Sequence, residues 1–116
     1  MEKVNLAQKL ALFSDRWSPK VVGELNGQLV KLEGEFVWHR HESEDELFLV
    51  LSGRLVVRLR DREIELAPGE LAIVPRGVEH LPVAPVETHV LLFEPASTRN
   101  TGDVESGFTV EHLERI

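Results

Sequence analysis

Two histidines, His39 and His41, stand one residue apart in the stretch "GEFVWHRHESEDELFLVLSG", and four acidic residues follow before a purely apolar run. Side chains two apart on a strand project from the same face, so a strand over 36–41 aims both imidazoles at one point. A metal ion requires that arrangement, although a solvated strand end accounts for the pair alone equally well. Glu46 opens "ELFLVLSG". A loop over 42–45 and an antiparallel return bring it back beside the pair, with Phe48 and Val50 on its face. A second cluster, "GELAIVPRGVEH", ends in His80 at the start of another strand, after a tight turn. Three imidazoles and one carboxylate suit a divalent transition metal, softer than an all-oxygen site and harder than a thiolate one.

The elements that must hold these side chains are short strands. Asn5 can cap a short amphipathic helix in which Leu6, Ala7, Leu10 and Phe13 share a face, ended by Ser18-Pro19. Strands over 21–25 and 28–31 flank Asn26-Gly27, a two-residue hairpin signal because both positions tolerate positive φ. Further strands are expected over 36–41, 47–51, 55–60, 63–67, 71–74, 78–84 and 88–94. The breaks between them fall at Ser52-Gly53, Asp61-Arg62, Pro68-Gly69, Pro75-Arg76-Gly77 and Pro85. Many short strands with frequent turns predict an all-β sandwich or closed barrel. The chain divides into an N-terminal helical segment over 1–19, a barrel over 20–95, and a C-terminal loop and tail over 96–116.

Composition removes several functions. At 116 residues one sizeable core is expected. Thirteen basic against twenty acidic residues give a net charge of -7, which opposes phosphate backbones and anionic membranes. Nucleic-acid and membrane partners are therefore not expected. With no cysteine, thiolate nucleophiles and zinc-thiolate sites are excluded, and any metal is held by nitrogen and oxygen. Polar residues interrupt the apolar ones in "MEKVNLAQKLALFSDRW", which lacks a secretory apolar region, and no run is long enough to span a bilayer. A soluble, cytoplasmic protein is the expectation.

Taken together, the two clusters make the chain resemble the cupins. The first cupin motif, G-x5-H-x-H-x3-4-E-x6-G, is occupied by Gly34, His39, His41, Glu46 and Gly53, with four residues in place of five after Gly34. The second, G-x5-P-x-G-x2-H-x3-N, is met by Gly69, Pro75, Gly77 and His80, with Ala84 where the final Asn is expected. The resemblance implies a double-stranded β-helix, or jelly-roll barrel. It also implies one divalent transition metal per chain (Mn, Fe, Ni, Cu or Zn), bound inside by His39, His41, Glu46 and His80. The resemblance narrows further to small single-domain cupins labelled as similar to mannose-6-phosphate isomerase.

Around such a metal, Phe48, Val50 and Val37 have inward parity and offer an apolar wall to a small ligand. Arg76, four residues before His80, could receive an anionic group at the barrel mouth, or simply solvate its turn. The facing of Lys31, Glu33 and Glu35 stays open, because Gly34 is a candidate bulge. Leu47, Leu49 and Leu51 point outward, so something covers the strand on both faces, and a homodimer is expected. Two functions fit: a small metalloenzyme acting on an oxygen-rich metabolite, isomerase-like or dioxygenase-like, and a non-catalytic small-molecule-binding module. The complete ligand set favours the first. The absence of tyrosine removes one proton donor, and the absence of cysteine removes the Cys-Tyr crosslink of thiol-dioxygenase cupins.

Overall fold

The computed structural model describes residues 3–23, 27–95 and 98–116. Asn5 caps a helix as its position predicts: its side chain accepts a hydrogen bond from the Gln8 amide at 3.0 Å, opening α1, Leu6–Leu10. The helix stops at Leu10, well before Ser18-Pro19, and buries none of its residues. The chain beyond it is anchored through Trp17, which is buried and stacks on Phe36 at 4.5 Å between ring centroids.

Strands β1 (Lys20–Gly23), β2 (Gly27–Glu35), β3 (Glu46–Ser52), β4 (Leu55–Arg58), β5 (Glu63–Leu66), β6 (Leu71–Val74), β7 (Leu81–Phe93) and β8 (Glu114–Arg115) follow. Pairing of β1 with β2 reaches Gly23 opposite Gly27. Asn26 of the predicted turn lies outside the described residues. The expected all-β barrel is built around β7. One edge of β7 pairs with β2 along its length, and the other edge is shared, with β4 on its first residues and β3 on its last. β6 continues from β3 and β5 from β4, which curls the chain into the double-stranded β-helix.

Gly53 makes the crossing from β3 to β4 possible. Its φ is +89°, and a Cβ there would lie 2.5 Å from Thr88 Oγ1 and 2.7 Å from the Glu87 carbonyl oxygen. Only glycine has both the conformation and the room. Thr88 Oγ1 accepts from the Arg54 amide at 3.1 Å and lies 2.9 Å from the Arg54 carbonyl, so the crossing is also tied to β7.

Two strand expectations are corrected. The expected strands 78–84 and 88–94 are joined in one strand, β7, which runs Leu81–Phe93, and Pro85 does not divide it. Pro85 lies between the paired Ala84 and Thr88, opposite a register shift in β2 between Leu32 and Gly34, where the ladder asks no amide of it. Gly34, at φ +82°, belongs to that bulge. The segment 36–41 is not a continuous strand. Only His39 forms a bridge, to His80, because beyond it the turn at 75–77 offers one amide, from Gly77 to the His41 carbonyl at 2.7 Å, in place of a strand.

Alternation on β3 puts Glu46, Phe48 and Val50 inside and leaves Leu47, Leu49 and Leu51 half-buried outside. Phe48 and Val50 join Val30, Leu32, Val74, Val90 and Leu92 in one apolar core. Each such apolar side chain contributes about 1.5–3 kcal/mol of burial. The C-terminal segment folds back on this barrel. Thr98, Asn100 and Thr101 are buried, and β8 pairs in parallel with β1. No helix among the described residues is long and apolar enough to cross a membrane.

Candidate metal centre

His39 and His80 face each other across the bridge and exchange both backbone hydrogen bonds, at 3.1 and 2.9 Å. Their rings are then aimed by the same device. His39 Nδ1 lies 2.9 Å from the Val37 carbonyl and His80 Nδ1 3.0 Å from that of Val78. An Nδ1–H donated to a carbonyl leaves Nε2 with its lone pair, the form a metal ligand needs. His41 is held through its carbonyl, which accepts the Gly77 amide at 2.7 Å. Glu46, first residue of β3, reaches in from the facing strand. Its Oε1 is 3.3 Å from His80 Nε2 and 3.6 Å from His41 Nε2.

The potential ligand atoms of His39, His41, Glu46 and His80 all lie within 4.8 Å of one another, and all four residues are buried. Burial, and then the neighbouring His80, lower His39 to about 4, so its ring is neutral at physiological pH. Burial also pushes His41 down, but the Glu46 carboxylate outweighs it and the net shift is upward. Burial alone would raise Glu46, yet contacts with Glu94, His41 and His80 hold it well below the usual carboxylate range. The result is a buried anion ringed by imidazoles, with His41 Nε2 lacking a hydrogen-bond partner among the described residues. A buried negative charge and an orphaned ring nitrogen call for a cation, and three nitrogens with one oxygen fit a divalent transition metal.

Of the other residues singled out in the sequence, Phe48 lines a small cavity beside the centre, with His39 and Glu46. Val50 is fully buried in the core and does not line it. Arg76 sits on the exposed turn, where its backbone amide and guanidinium Nε donate to Asp45 Oδ1 at 2.9 and 3.2 Å. It lies outside the residues that line the cavity.

One residue that sequence reasoning passed over belongs to the site. Glu94 follows β7, is 3% exposed and lines the same cavity. The β3–β7 register runs Leu47 opposite Phe93 and Phe48 opposite Leu92, so continuing it by one step sets Glu46 opposite Glu94. Burial, and then the facing Glu46 carboxylate, push the Glu94 carboxyl far above the usual range. Inward parity with Val90 and Leu92 was the available signal. The C-terminal segment also reaches the centre: the Arg40 amide donates to Asp103 Oδ1 at 3.0 Å, and the Asp103 amide to the Arg40 carbonyl at 3.1 Å.

A barrel of this topology with two His, a Glu and a third His turned inward defines a cupin. Residues 28–94 match the Cupin_2 family, described as a cupin domain, and the chain belongs to that family. A cupin-2 domain containing protein from Shewanella frigidimarina is 45% identical, with a TM-score of 0.78 over 79% of this chain and 93% of that one. Protein NMB1881 from Neisseria meningitidis is 32% identical, with a TM-score of 0.74 over 81% of this chain and 99% of that one. Among curated proteins, the uncharacterized protein YdbB of Bacillus subtilis (strain 168) is 36% identical over 63 residues. That match takes in 51% of this chain and 56% of YdbB.

Proposed function

We propose that this cupin holds one divalent transition metal per chain (Mn, Fe, Ni, Cu or Zn) at His39, His41, Glu46 and His80. We further propose that it acts there on a small oxygen-rich metabolite, as an isomerase or an oxygenase. The convergence of four buried ligand atoms within 4.8 Å carries this reading. A metal so held would supply Lewis-acid polarisation of an oxygen-bearing guest. The chain's own part is to keep His39 neutral, to orient the rings of His39 and His80 through the Val37 and Val78 carbonyls, and to wall the cavity with Phe36, Phe48 and Leu92 against water.

Elemental analysis of untagged protein tests the centre. Wild type should carry about one metal per chain, and His39→Ala and His80→Ala should lose it while keeping a β-rich circular dichroism spectrum. Unchanged stoichiometry in both variants sinks the assignment. With metal bound, oxygen consumption selects the oxygenase, and aldose-ketose interconversion without oxygen selects the isomerase. Metal-dependent binding with neither reaction selects the non-catalytic module.

A further inference from the structure

We propose that Glu94 grips the guest in the cavity beside the metal centre, and that it grips a neutral hydroxyl group. This rests on reading the site as a metal centre for a small oxygen-rich metabolite, and it names the chemistry of the guest.

The polar groups that line the cavity are few. His39 and Glu46 are committed to the centre. The Asn100 amide nitrogen donates to the Phe108 carbonyl at 2.7 Å, and its oxygen accepts the Val110 amide at 2.8 Å. The Trp17 indole donates to the Glu33 carbonyl at 2.9 Å. Glu94 is left: its carboxyl proton can go to the facing Glu46 carboxylate, but neither of its oxygens accepts a hydrogen bond from any described residue. A buried acceptor oxygen without a donor is costly, and a guest hydroxyl placed against it relieves that cost.

Charge narrows the guest further. No lysine or arginine is among the residues lining the cavity, and Arg76 on the nearby turn is already engaged by Asp45. An anionic group entering here meets two carboxyl side chains and no cationic one, whereas a neutral hydroxyl can donate to Glu94. Size points the same way. The cavity measures about 30 Å³, room for about two water-sized groups. A terminal hydroxymethyl group fits it, and a phosphate does not.

Dihydroxyacetone and hydroxyacetone separate the possibilities, since both keep a hydroxy-carbonyl pair for the metal and differ by one hydroxyl. Calorimetry on the metal-loaded full chain should show dihydroxyacetone bound about tenfold more tightly, the worth of one buried hydrogen bond. Glu94→Leu should erase that preference while leaving hydroxyacetone binding and metal content unchanged, and Glu94→Gln, which keeps an acceptor, should restore part of it. The proposal is overturned if wild type shows no preference, if Glu94→Leu retains it, or if either variant loses metal, which would place the part of Glu94 at the metal centre, directly or through Glu46, and not at the guest. Should Glu94→Leu fail to fold, difference infrared spectra decide. A carboxyl band of wild type should move on adding dihydroxyacetone and be missing from Glu94→Gln, and an unmoved band overturns the proposal. Failure of the metal reading itself is seen earlier, as wild-type protein that takes up no metal or His39→Ala protein that keeps it.

Discussion

Glu46 and Glu94 face each other in a buried site, and two carboxyls so placed cannot both ionise without large cost. Glu46 keeps the charge because His41 and His80 lie against it, and Glu94 is left as the carboxyl driven far upward. A folded-state pKa raised above the unfolded one stabilises the fold below the unfolded value of about 4.3 and loses that contribution as pH rises. In metal-free protein, Glu94→Gln should therefore raise stability by about 1–3 kcal/mol at neutral pH. The gain should be larger at pH 8 than at pH 5. Denaturant titrations at the two pH values check this, and a gain that shrinks with rising pH contradicts it. The cost carried by wild type is what a binding group exacts when it is held ready for a guest.

The segment carrying His39 and His41 lacks a ladder of its own, so other elements must hold it. His80 fixes it on one side, and on the other it is clamped by Asp103 and by the backbone at Gly102. Gly102 has φ +57°, and a Cβ there would overlap the Arg40 carbonyl and press within 3.2 Å of the His39 ring. Gly102→Ala should displace the histidine pair, lowering metal affinity at least tenfold and stability by about 1–3 kcal/mol. Chelator competition and thermal melts are the measurements, and wild-type affinity in that variant would show that the C-terminal segment does not position the centre.

Across the whole molecule, the outer face of β6, β3 and β7 presents two apolar rows. Register places Ile73, Leu47 and Phe93 in one and Leu71, Leu49 and Leu91 in the next. Leu71 and Ile73 are more than half exposed, and β6 pairs on one edge with β3 and with no other described strand. We propose that a second copy of the chain covers this face, since an apolar patch beside an open sheet edge favours a self-complementary contact. Light scattering should give a dimer at micromolar concentration. Leu49→Glu should shift it to monomer, because the contact would bury an unpaired charge. A monomeric wild type counts against the dimer without touching the metal centre.

Much of this architecture is written in local pattern. Asn5 caps its helix, Leu71–Val74 has the predicted bounds, and the alternation of β3 puts Glu46, Phe48 and Val50 on the inner face, because capping and a period of two are properties of neighbouring residues. The four candidate ligands were legible for the same reason, as two short motifs of fixed spacing. Other features depend on which distant segments meet. Pro85 reads as a break, yet the register of β2 opposite it turns the break into a bulge within β7. Glu94 reads only as the last residue of the expected strand 88–94, until β3 arrives from 48 positions earlier and sets Glu46 across from it. The segment after β7 reads as a polar tail, but it packs Gly102 against the Arg40 carbonyl and carries β8 to β1. Burial makes these side chains matter chemically, and burial is a property of closure across the chain, which no local period records.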